Sequence, residues 1–96
     1  MPGVVLQRNK MQDSLMDFSN RMGDELFRLL AMRASEELAE QSDFDRFTGM
    51  LGASLIAVAR VLREPVENGQ DVDKLVSFSS RWLRTLLEPV ANRGGL

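Results

Sequence analysis

A single helix-forming stretch decides the fold of this chain. Residues 43–64 read DFDRFTGMLGASLIAVARVLRE. Ser42, directly before the stretch, is a preferred N-cap residue, and Asp43 and Asp45 place negative charge in the first turn, where the helix dipole favours it. Pro65 follows, and the residue before a proline is disfavoured in the α region. The pattern therefore predicts a helix over residues 43–64.

The two sides of this helix differ in bulk. At 100° per residue, one face carries large apolar side chains from Phe47 to Leu62, and most positions opposite them are Gly or Ala. A helix that is apolar all round is typically buried, so one interpretation makes it the central helix of a monomeric bundle. The other interpretation, which we favour, packs the bare face against a second copy in a two-fold homodimer. The predicted dimer interface consists of Gly49, Ala53, Ile56, Ala57 and Arg60.

Helical periodicity also predicts two flanking helices, over residues 13–40 and 72–88. In the first, one apolar stripe gives way, beyond Leu26, to a second stripe about 100–160° round the axis. The first stripe consists of Met11, Leu15, Phe18, Met22, Leu26 and Leu29, and the second of Phe27, Leu30, Ala34 and Leu38. Either the helix bends near Gly23, or it contacts different neighbours along its length.

The ends of the third helix are marked by Asp71, a preferred N-cap residue, and by Pro89. Residues 1–10 lack periodicity and are predicted to form a flexible arm. Residues 92–96 are predicted to be a frayed tail. The expected fold is all-α: one domain over residues 1–96, a three-helix bundle with two long helices and a shorter third, assembled as a homodimer.

Composition excludes several kinds of chemistry. The 96 residues include no His, Cys or Tyr, so no imidazole or thiol is available, and no cofactor or metal is expected. With 12 basic and 14 acidic residues, the chain lacks the basic excess that drives duplex DNA binding. The longest apolar stretch, residues 49–59, is shorter than the roughly 20 residues that cross a membrane, so no membrane partner is expected. A chain without disulfides is expected in the cytoplasm.

Possible catalytic groups also lack their partners. The serines have no His to activate them, and the two glycines at 49 and 52 do not form a phosphate-binding loop. Five carboxylates lie around the first interhelix turn, and Glu36 with Glu40 could bind a cation through oxygens. We favour the interpretation that these carboxylates are solvated helix caps. The chain is therefore not expected to be an enzyme.

An interaction surface is better supported. Phe78 and Trp82 are four residues apart with Arg81 beside them, and aromatic and Arg side chains dominate interface energetics. The alternative is that both rings belong to the core. Met16 projects away from the main stripe of the first helix. The predicted partner-binding residues are Met16, Phe27, Phe78, Arg81, Trp82 and Arg84.

These features predict a non-enzymatic protein-binding module, a small regulator, inhibitor or adaptor that binds a larger protein stoichiometrically. One alternative is a small dimeric DNA-associated regulator that uses Lys74, Arg81 and Arg84. Against it, the connection over residues 65–71 is longer than the turn of a helix-turn-helix motif. A second alternative is a structural assembly subunit or a secretion chaperone.

Overall fold

The computed structural model describes the backbone of residues 2–94 and the side chains of residues 12–93. Three helices follow one another: α1 (Pro2–Glu37), α2 (Asp43–Glu67) and α3 (Val72–Gly94). Between residues 2 and 94 there is no strand. The predicted all-helical class and the predicted number of helices are confirmed over this range.

The chain divides into two compact units, residues 1–54 and residues 55–96. The boundary falls inside α2. Unit 1 contains α1 and the first half of α2, and unit 2 contains the second half of α2 and α3. The single domain expected from chain length stays a prediction.

The start of α1 differs from the prediction. The helix begins at Pro2, whereas the sequence predicted an arm over residues 1–10 and a helix from about residue 13; Met1 lies outside the described residues. Proline is favourable in the first helical turn because its missing N–H would have no partner there and its φ is already helical. At the other end the helix stops at Glu37, and residues 38–40 form a turn.

Side-chain hydrogen bonds stabilise the connection between α1 and α2. Ser42 is the N-cap of α2, as predicted: its Oγ accepts a hydrogen bond from the Asp45 N–H at 3.1 Å. The Arg46 guanidinium turns back and donates to the carbonyl oxygens of Gln41 at 3.0 Å and Ala39 at 3.4 Å. It also pairs with Asp43. Arg46 thus supplies donors to carbonyls of the connection beyond the end of α1, a role the sequence did not reveal.

Neither proline ends its helix, so the predicted ends at Glu64 and Glu88 are wrong. Helix α2 continues through Pro65 to Glu67, because its end is set by a glycine cap. The Gln70 N–H donates to the Pro65 carbonyl at 2.9 Å, and the Gly69 N–H donates to the Val66 carbonyl at 3.0 Å. Gly69 has a φ of 93°, the left-handed conformation that this pair of bonds requires.

Helix α3 begins as predicted and ends later. Asp71 is its N-cap, accepting a hydrogen bond from the Lys74 N–H at 3.2 Å. Pro89 lies inside the helix, which runs to Gly94. An interior proline removes one backbone donor but leaves the following turns able to form, and the apolar periodicity of α3 continues to Val90. The predicted frayed tail is therefore helical over residues 92–94, and Gly95 and Leu96 lie outside the described residues.

Burial is sparse. Among the side chains of residues 12–93, Ala34 alone is buried, with 8% of its surface exposed. Ala34 belongs to the second stripe of α1, and its neighbours on that stripe, Leu30 and Leu38, are half-buried. On the first stripe, Leu15, Phe18, Leu26 and Leu29 are exposed and Met22 is half-buried. Among the described side chains of α1, the buried one thus lies on the second stripe, although Phe27 of the same stripe is exposed.

Candidate protein-binding surfaces

The predicted dimer interface on α2 is mostly free within the chain. Ala53, Ile56, Ala57 and Arg60 are all exposed. Gly49 is different, because a Cβ placed there would lie 3.0 Å from Leu38 Cδ1 of the same unit. The small size of Gly49 therefore serves packing inside unit 1, and the part of the bare face that remains open begins at Ala53.

The predicted partner-binding residues are exposed side chains in both units. Met16 and Phe27 lie on α1 in unit 1. The other four lie within two turns of α3 in unit 2: Phe78, Arg81, Trp82 and Arg84.

The two aromatic rings of α3 are not core residues in this chain. Phe78 is 55% exposed and Trp82 is 43% exposed. Because the two residues are four positions apart, both rings lie on one side of the helix. Arg81 directly precedes Trp82 in the sequence. This side of α3 offers apolar anchors with a neighbouring cation.

An apolar groove runs between α2 and α3 in unit 2, with a volume of about 540 Å³. Its apolar lining is aliphatic, and Arg60, Arg63 and Glu67 border it. The apolar lining residues are Ile56, Ala59, Leu62, Val66, Val72, Leu75 and Val76. Of the residues that line or border the groove, the predicted dimer interface included only Ile56 and Arg60.

A second, shallower concavity of about 400 Å³ lies farther along α3. Leu83 and Leu87 form its apolar floor, with Ser80 beside them and Arg84 and Glu88 at the border. In the sequence, both concavities are indicated by the apolar residues that recur at helical spacing along α3, from Val72 to beyond Phe78 and Trp82.

Ion pairs in the described residues lie within single helices. Asp17 pairs with Arg21 at 3.0 Å, and Arg63 pairs with Glu67 at 2.8 Å. Exposed pairs of this kind contribute at most about 1 kcal/mol to stability. They are surface interactions and do not position the residues of a site.

The acidic residues around the first connection also lie at helix ends. Asp43 pairs with Arg46, and Glu37 lies 3.9 Å from Arg33. Within the described part of the chain, no group of three His, Cys, Asp or Glu residues could hold a metal ion. None of the helices described here is both long and apolar enough to cross a bilayer.

Comparison with known proteins adds no relative. No protein-family model, no curated protein and no solved structure matches the chain. Functional inference therefore depends on the surfaces themselves.

Proposed function

We propose that the chain is a non-enzymatic protein-binding module that forms a homodimer and acts by stoichiometric binding to a larger protein. In such a role it would serve as a small regulator, an inhibitor or an adaptor. It would occlude or bridge surfaces of its partner and carry out no chemistry of its own.

One observation carries this proposal. Only Ala34 is buried among residues 12–93, whereas 23 large hydrophobic side chains in that range are exposed. Full burial of one such side chain is worth about 1.5–3 kcal/mol. Large exposed apolar patches on a protein typically mark an interaction surface.

The proposed partner-binding residues form one surface on α3 in unit 2 and a separate one on α1 in unit 1. Phe78 and Trp82 would insert as rigid apolar anchors, and Arg81 and Arg84 would fix orientation through charge-assisted hydrogen bonds. Met16 would add an adaptable apolar contact on α1. An amphipathic helix that enters a groove of its partner is a common form of such recognition.

The proposed self-association uses the open part of the bare α2 face. Ala53 and Ala57 are small and exposed, so another helix could approach the α2 backbone closely, with Ile56 and Arg60 at the border. This contact would leave the aromatic side of α3 available to the larger partner. The cytoplasmic location stays a prediction.

The test separates folding from binding. Tagged wild-type protein and the Trp82→Ala and Met16→Glu variants are compared in affinity purification from the native organism, with helicity checked by circular dichroism. We expect each variant to keep its helicity and to lose a protein that wild type retains. Ser77→Ala, a change on the polar side of α3, serves as the control. Identical sets of retained proteins for wild type and both variants would contradict the proposed surface.

A further inference from the structure

We propose that the groove side of unit 2 is covered by the same side of a second copy, with the two α3 helices packed antiparallel. This inference deepens the proposed homodimer and rests on it. It extends the self-association from α2 onto α3 and specifies the orientation of the two copies.

The surface concerned is aliphatic and open. It joins the groove between α2 and α3 to the concavity farther along α3. Its large apolar members are between 38% and 59% exposed: Ile56, Val66, Val72, Val76, Leu83, Leu86, Leu87 and Val90. Aliphatic side chains with few conformers suit the regular interlocking of helix against helix.

The spacing along α3 is self-complementary. Positions 72, 76, 79, 83, 86 and 90 hold Val, Val, Ser, Leu, Leu and Val, at alternating intervals of four and three residues. This alternation is typical of a coiled-coil seam. Residue 81 is the midpoint of this series, and the intervals are the same when they are counted from either end. An antiparallel pair centred there places Val72 opposite Val90 of the second copy, and Val76 opposite its Leu86.

The exposed apolar residues supply about half of the area that a stable dimer buries. A large aliphatic side chain contributes roughly 60–120 Å² of apolar surface, and about half of it is exposed here. Eight such residues on each of two copies supply on the order of 500–1,000 Å². Stable interfaces bury about 1,200–2,000 Å² in total, and the polar border residues would add the remainder.

The surface is also continuous with the proposed α2 contact. Ile56 and Arg60 belong to that contact and line the groove. Ala59 also lines the groove, and its small side chain leaves room for an approaching helix. Two helical hairpins that pair in this way give a four-helix arrangement, a common solution for short helical chains.

The absence of native Cys allows a direct test by disulfide formation in the full-length chain. In the proposed pair, the two copies of Ser80 would be offset from each other by about 3 Å along the helix axes. The two copies of Ser77 would be offset by about 12 Å. Ser80→Cys is the test variant and Ser77→Cys the control, because both residues are exposed serines of α3. A disulfide requires the two Cα atoms to lie within about 7 Å, which an offset of about 12 Å excludes for Ser77. Ser80 flanks the seam on the same side in both copies, so small helix motions would bring its two cysteines within reach.

We expect Ser80→Cys to form a covalent dimer under mild oxidation at micromolar concentration, and Ser77→Cys to remain largely uncoupled. Light scattering on unoxidised wild type gives the second measurement. A dimer by light scattering with equal coupling of both variants, or with no coupling at Ser80→Cys, would overturn this inference and leave the proposed homodimer standing. A single-chain mass at all concentrations would overturn both.

A charge on the seam gives an independent measurement. Leu83→Arg should raise the dimer dissociation constant at least about tenfold, because it places a cation among the aliphatic residues. Ser77→Arg adds the same charge off the seam and should leave the constant unchanged. If both variants dissociate equally, net charge is responsible and the proposed surface is wrong.

Discussion

Gly49 and Gly52 are three residues apart on α2, yet their surroundings differ. A Cβ at Gly49 would approach Leu38 Cδ1 to 3.0 Å, whereas one at Gly52 would meet nothing within 4 Å. Glycine inside a helix is less favourable than alanine by about 0.5–1 kcal/mol. We expect Gly52→Ala to raise the free energy of unfolding by about this amount. Gly49→Ala should raise it less or lower it, since Leu38 must move. Urea unfolding of the two variants measures the difference, and equal gains would show that Leu38 does not restrict position 49.

Arg46 is the other residue whose role depends on geometry. Its guanidinium donates to two carbonyls of the connection and pairs with Asp43, a fork that a lysine ammonium cannot reproduce. We expect Arg46→Lys to lower the free energy of unfolding by about 0.5–1.5 kcal/mol, the contribution of a typical hydrogen bond. Arg28→Lys is the matched control, because Arg28 is exposed and no hydrogen bond or ion pair of Arg28 is found within residues 12–93. Equal stability of the two variants would show that the charge alone matters at position 46.

At the scale of the secondary-structure elements, the end of α2 depends on a single residue, Gly69. Gly69 has a φ of 93°, and its Cβ would meet no atom within 4 Å, so any cost of a side chain there comes from the backbone. We expect Gly69→Ala to cost about 1–2 kcal/mol in the free energy of unfolding. The neighbouring Asn68→Ala should change it by less than about 0.5 kcal/mol. Thermal unfolding followed by circular dichroism compares them. If Gly69→Ala is as stable as Asn68→Ala, the left-handed cap does not set the helix end.

The same helix end shows what sequence patterns can and cannot predict. Local chemistry revealed the caps at Ser42 and Asp71, because an N-cap depends on one side chain and the next turn. The continuation of α2 through Pro65 depends on bonds that Gly69 and Gln70 make to the last turn. The conformational preference of the residue before a proline does not predict these hydrogen bonds.

Burial was still less predictable. Periodicity correctly marked apolar faces at Leu83 and Trp82, but it cannot tell whether a face is covered by its own chain or by another. The bare α2 face shows the same limit. Its small residues were visible in the sequence, but only the structure shows that Leu38 already occupies the space beside Gly49.

For the whole molecule, the balance of charge leads to a prediction about nucleic acid. Lys74, Arg81 and Arg84 are exposed on α3, but Asp73 and Glu88 lie on the same helix and would repel phosphates. We expect no measurable binding to duplex DNA at low salt, as followed by fluorescence anisotropy of a labelled duplex. Affinity that falls steeply with salt and is lost in Arg84→Glu would instead support the DNA-associated alternative.

The scarcity of buried side chains has a consequence for stability itself. If the apolar faces of the described helices are covered by a second copy, folding and association are linked, and stability must depend on protein concentration. A tenfold increase in concentration adds about 1.4 kcal/mol to a dimer, which corresponds to several degrees in the unfolding midpoint of so small a chain. We expect the wild-type midpoint to rise by this amount between about 5 and 50 μM, as measured by circular dichroism. Ala53→Arg, which places a cation on the open α2 face, should abolish the rise. A midpoint independent of concentration in wild type would mean that the chain is stable alone, and that its exposed faces are kept for the larger partner.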